Sequence, residues 1–100
     1  MKEYKVNLTT QFKEELKKTL YFFQYSYKTR RKLHYEIRNT VSSLSILPER
    51  YSRLKLNSKT KNIRKLPVNK FVITYEVDNE KDEVYILHIF SQKQDYLNQI

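Results

Sequence analysis

One hundred residues suffice for a single modest core, and 39% hydrophobic residues give this chain the means to fold despite a charged fraction of 31%. The excess of 20 Lys+Arg over 11 Asp+Glu leaves a net charge of +9, which makes a polyanion the expected partner. Cysteine and glycine are absent and histidine occurs twice, which excludes disulfides, thiolate zinc sites, glycine-rich phosphate loops and nucleophile elbows, and leaves no basis for a metal site or a bound cofactor.

No apolar run approaches the roughly 18–20 residues that span a bilayer, and the polar N-terminus is unlike a signal peptide, so the cytoplasm is the expected compartment. Tyr4, Val6 and Leu8 alternate with Lys5 and Asn7, which predicts a first strand. Thr9-Thr10 offers a hydroxyl cap to a following helix of about four turns, in which Phe12, Leu16, Leu20 and Phe23 recur at helical spacing. Tyr21-Phe22-Phe23-Gln24-Tyr25-Ser26-Tyr27 is crowded with rings. The expectation is that these rings cap the core where two helices meet, rather than form an exposed platform for bases.

A second helix is predicted to begin between Ser26 and Thr29, with Leu33, Ile37, Val41 and Leu44 as its buried stripe and Pro48 as its end. Lys28, Arg30, Arg31 and Lys32 load its first turns with cations against the helix dipole; a solvated face is the simple reading. From Arg50 to Lys70 the chain then carries Arg50, Arg53, Lys55, Lys59, Lys61, Arg64, Lys65 and Lys70 and no acid. Such a run, with a polar loop around residues 57–60 at its middle, is an electrostatic funnel for nucleic acid.

The funnel leads into a predicted hairpin. Ile63 to Val68 reads as a strand, Asn69-Lys70 as a turn, and Phe71, Ile73, Tyr75 and Val77 as one face of an alternating strand. Arg64 and Lys65 are thereby fixed on a sheet. Asn79 to Asp82 turns the chain, and Val84 to Phe90 is apolar enough for a central strand covered on both faces. His88 within it reads as a packed, hydrogen-bonded histidine, and a short helical turn is expected at the C-terminus. The fold class expected is α+β: one domain over residues 1–100, ordered β-α-α-β-β-β, with two helices on one side of a curved antiparallel sheet.

Four segments resemble the RelE/ParE superfamily of bacterial toxin–antitoxin toxins. They are the first strand leading into Phe12-Lys13-Glu14-Glu15-Leu16, the segment Leu47-Pro48-Glu49-Arg50-Tyr51, the hairpin from Ile63 to Val77, and Val84 to Phe90 followed by Gln94-Asp95. The resemblance implies a toxin neutralised by a cognate antitoxin. The expected function on it is ribosome-dependent mRNA cleavage, which some members perform without a metal. The alternative is DNA gyrase, which ParE-like members inhibit without cleaving anything, and a plain basic nucleic-acid-binding module is the least specific reading.

For cleavage, the mRNA's own 2′-OH would attack the adjacent phosphate, which requires cations for the phosphate charge and groups to move protons. The resemblance makes Arg64, Lys93 and Tyr96 the catalytic candidates, with Tyr51 and His88 as weaker acid–base candidates. Arg50, Arg53, Lys55, Lys61, Lys65 and Lys70 would hold the nucleic-acid backbone. Many members carry a histidine just after the last strand; Ser91 stands there in this chain, and a serine cannot serve as an imidazole base.

Overall fold

The computed structural model describes residues 2–22, 26–54 and 61–91, without the side chain of Phe22. Strand β1 (Lys5–Leu8) is followed by helices α1 (Thr10–Phe22) and α2 (Tyr27–Ser42), two short 3₁₀ turns (Ser43–Ser45 and Pro48–Arg50), and strands β2 (Ile63–Val68), β3 (Phe71–Asp78) and β4 (Glu83–Ser91). The sheet order is β1-β4-β3-β2. The fold is therefore α+β in the expected element order. The three C-terminal strands are antiparallel, whereas β1 joins the far edge parallel to β4, so the sheet is mixed. A parallel neighbour needs a long crossover, and β1 obtains one from nearly the entire intervening chain.

Thr9 is the cap of α1: its Oγ1 accepts from the Phe12 amide at 3.2 Å and donates to the Ile86 carbonyl at 2.6 Å, tying the helix start to β4. Ser26 does the same for α2, accepting from the Thr29 amide at 3.2 Å. The second helix stops at Ser42, short of Pro48. Serine hydroxyls compete with the helical ladder. Ser43 Oγ donates to the Thr40 carbonyl at 2.6 Å, and Ile46 turns extended to bridge Glu3, so the helix ends before the proline acts. Leu44 stays fully buried within the first 3₁₀ turn.

Phe12, Leu16 and Leu20 from α1 and Leu33, Ile37 and Val41 from α2 join Leu66, Phe71, Ile73, Tyr75, Val84 and Ile86 in one core cluster. Strand β4 is central, between β1 and β3, but it is partly exposed at Tyr85, Leu87 and His88; the strand buried without a break, from Phe71 to Tyr75, is its neighbour β3. The ring-rich segment departs from expectation: Tyr21 and Tyr27 are 62% and 71% exposed rather than capping the core. Phe23, Gln24 and Tyr25 lie outside the described residues, as does the expected C-terminal helical turn.

The β2–β3 hairpin closes through Asn69-Lys70, with Asn69 at φ 56°. Asparagine tolerates that left-handed conformation, which a β-branched residue would not. One polar atom in the sheet is costly. Thr74 is fully buried, and its Oγ1 has no hydrogen-bond partner among the described residues. Thr74→Val removes the orphan hydroxyl at constant shape and should raise stability by about 1 kcal/mol, read as an increase of several degrees in Tm.

Candidate functional site

The strongest concentration of polar contacts surrounds Glu49, in the 3₁₀ turn before the cationic segment. Asn62 Nδ2 donates to Glu49 Oε2 at 2.8 Å, Arg64 Nη2 to the same oxygen at 3.2 Å, and Asn79 Nδ2 to Oε1 at 3.3 Å. Tyr4 OH extends the network by donating to Asn79 Oδ1 at 2.6 Å. Three side chains thus converge on one carboxylate, and Tyr4 is linked to it through Asn79. In the sequence Glu49 stands out only as part of the Leu47-Pro48-Glu49-Arg50-Tyr51 segment.

Arg64 is held on β2 with its side chain 15% exposed. Its Nε donates to Asn62 Oδ1 at 3.0 Å, and Nη1 donates to the carbonyls of Glu49 at 3.0 Å and Tyr51 at 2.7 Å. With Nη2 on the Glu49 carboxylate, a single N–H of the guanidinium is left over. The backbone beside it is also engaged: Lys65 donates its amide to the Ser52 carbonyl at 3.1 Å and Ile63 accepts from the Leu54 amide at 2.8 Å, so residues 52–54 pair along the outer edge of β2.

Arg50 is similarly committed. Its Nη1 donates to the carbonyls of Ser43 at 3.2 Å, Leu47 at 3.3 Å and Ile46, its Nη2 donates to Ser43 Oγ at 2.6 Å, and the guanidinium lies 5.0 Å from the Tyr51 ring centroid. This clamp surrounds Leu47, which adopts φ 49° while 61% exposed. A left-handed leucine costs about 1–2 kcal/mol, and the Arg50 contacts offset it. From below, Tyr75 OH donates to the Pro48 carbonyl at 2.5 Å. Burial pushes the Tyr75 hydroxyl up to about 12, so it stays a donor at neutral pH.

The hydrogen bond from Asn62, then the bond from Asn79 and the charge of Arg64, hold the Glu49 carboxyl below its ordinary 4.5 against the opposing effect of partial burial. A depressed carboxylate is a weak proton acceptor. It also makes stability pH-dependent in a defined sense: the unfolded chain takes up the proton more readily, so the contribution is present above the ordinary value and disappears as pH falls through the folded one. Between about pH 5 and about pH 3 the parent should therefore lose Tm faster than a Glu49→Gln variant, compared by calorimetry.

The remaining candidates separate. Arg53 and Lys61 are exposed beside this cluster, with Arg53 Nη2 donating to the Lys61 carbonyl at 3.0 Å, and Lys65 is half-buried on the same strand. Lys70 sits at the hairpin turn, the opposite end of β2, where it lines a notch with Thr29, Lys32 and Glu36 of α2. His88 points Nδ1 at Glu15 of α1, at 3.0 Å, as a packed strand histidine. Lys55, Lys93 and Tyr96 lie outside the described residues. Among the described residues no group of acids and histidines could hold a metal ion, and no helix is long and apolar enough to cross a membrane.

A second concavity lies between β1, α1 and α2. It holds about 560 Å³ and is lined by Val6, Leu8, Phe12, Leu16, Leu20 and Ile37, with Lys13, Lys17 and Arg38 at its rim. Leu8 is 43% exposed there.

No curated protein matches the sequence. Among solved structures, the chain is similar to the chromosomal ParDE system of P. aeruginosa, with 16% identity, a TM-score of 0.70 and coverage of 91% of this chain and 98% of that one. It is similar also to the toxin–antitoxin complex RelBE2 of Mycobacterium tuberculosis, at 19% identity, TM-score 0.63, and 94% and 97% coverage. The RelE–RelB complex of Pyrococcus horikoshii OT3 gives 17%, 0.59, and 94% and 99%. At such identities the likeness establishes the fold. The family is established by the model described as ParE toxin of the type II toxin–antitoxin system parDE, which matches residues 6–96. Fold and family agree: this chain belongs to the ParE toxin family and is the toxin of a type II toxin–antitoxin module.

Proposed function

We propose that this toxin arrests growth by binding its target without cleaving RNA, as the gyrase-inhibiting members of its superfamily do. One observation carries the reading. Arg64, the arginine best placed to stabilise a phosphate in a nuclease, spends its hydrogen-bond donors on Glu49, Tyr51 and Asn62. A phosphate approaching it would also meet the Glu49 carboxylate. Ser91 in place of a basic imidazole removes the usual proton acceptor. The arginine and the acid instead shape a rigid turn that presents Leu47 to solvent.

A second reading, ribosome-dependent mRNA cleavage, is favoured by the exposed Arg53 and Lys61 beside Arg64, together with Lys93 and Tyr96 in the sequence. Induction of the toxin alone separates the two. Stalled supercoiling by purified gyrase and an induced DNA-damage response, with messages intact, is the expected outcome. New mRNA ends found by primer extension only in translated messages would overturn it.

For the antitoxin, the apolar groove between β1, α1 and α2 is the proposed seat. Its lysine- and arginine-rimmed walls suit an amphipathic segment carrying acids beside its apolar face.

A further inference from the structure

The outer face of α2 is left unexplained by either reading. Tyr27, Arg31, Tyr35 and Arg38 follow one another at helical spacing of four, four and three residues and so share a stripe. Tyr27 is 71% and Tyr35 66% exposed, and Arg31 and Arg38 are exposed with them. Lys28 and Lys32 flank the stripe. None of these cations is in an ion pair: the ion pairs among the described residues are Lys2–Asp82, Arg64–Glu49 and His88–Glu15. The helix has no acid in its first turn. Its one carboxylate, Glu36, accepts from Asn69 Nδ2 at 3.4 Å across a notch that Lys32 and Lys70 also line.

Two costs are accepted on this face. Cations crowd the positive end of a helix dipole, and large rings stay in water although the fold has apolar surface that could cover them. Both become favourable when a polyanion with flat apolar faces binds. Cations meet phosphates, and each exposed ring stacks on a base. Tyr27 and Tyr35 are eight residues apart, about 12 Å along the axis, too far to sandwich one base and suited to taking one base each. Paired bases inside a duplex have no free face to offer.

We infer that the Tyr27–Arg31–Tyr35 face of α2, flanked by Lys28 and Lys32, is a binding surface for single-stranded nucleic acid. It is separate from the Glu49–Arg64 cluster, and only Arg38 is shared with the apolar groove. It does not depend on which target arrests growth.

Fluorescence anisotropy of the purified chain with a labelled oligothymidylate about 20 nucleotides long, enough for more than one such site, tests the surface. Tyr27→Ala and Tyr35→Ala should each weaken binding by about tenfold. Tyr35→Phe, which keeps the ring, should bind like the parent, so that loss of stacking is read apart from loss of fold. Arg31→Gln should lower the slope of log affinity against log salt by about 0.7. Affinity indifferent to both tyrosines, or a duplex of equal length bound as tightly as the single strand, would overturn the inference. So would polyglutamate bound with the same tyrosine dependence, which would assign the face to an acidic protein.

Discussion

Arg64→Ala should lower the stability of the toxin by about 3 kcal/mol, seen as a fall in Tm of more than about 10 °C by calorimetry. The side chain is mostly buried and joins four acceptors from the Glu49–Tyr51 turn and Asn62. Its removal takes a donor from two carbonyls and from Asn62 Oδ1, and leaves the Glu49 carboxylate with only Asn62 and Asn79. The magnitude is set below that of a fully buried pair because Glu49 is 43% exposed. Arg64→Lys should be nearly as damaging, because an ammonium on a flexible stem cannot reach that divergent set of acceptors. An arginine kept for phosphate would behave differently: lysine would restore most of the stability, and alanine would change activity alone.

Leu8→Asp should weaken binding of the cognate antitoxin by about a hundredfold or more, measured by isothermal titration. Leu8 lies in the wall of the apolar groove and is 43% exposed in the free toxin, so the substitution is tolerated by the fold. In the complex the new carboxylate would be desolvated against an apolar surface, beside a partner expected to carry acids of its own. Lys17→Glu, at the rim, should act chiefly on the association rate and its salt dependence. Undiminished binding by Leu8→Asp would place the antitoxin elsewhere, with the cationic segment around Arg50 and Arg53 as the alternative seat.

The hairpin carrying Arg64 was legible in the sequence because period-two alternation and an asparagine turn are local signals, and β2 and β3 occupy the expected residues. The end of α2 was missed because Pro48 is the loud stop signal, whereas hydroxyl competition at Thr40 and Ser43 is a quiet one. The parallel seat of β1 has no local signature, since nothing within Lys5–Leu8 encodes its partner. The commitment of Arg64 was illegible for a related reason. Its main acceptors lie 13 and 15 residues earlier, as backbone carbonyls, and a carbonyl has no identity in sequence. Tyr21 and Tyr27 were misjudged because ring content reports the means to bury, while exposure depends on where the helices lead.

The parallel pairing of β1 with β4 also bears on how the chain folds. Val6 lies beside Val84, so β1 finds its hydrogen-bonding partner across both helices and the β2–β3 hairpin. Such distant pairing raises contact order and slows closure of the sheet. The Thr9 cap reinforces this order of events, since it hangs α1 on the Ile86 carbonyl. The apolar groove walled by β1 and the two helices is therefore complete only once β4 is in place.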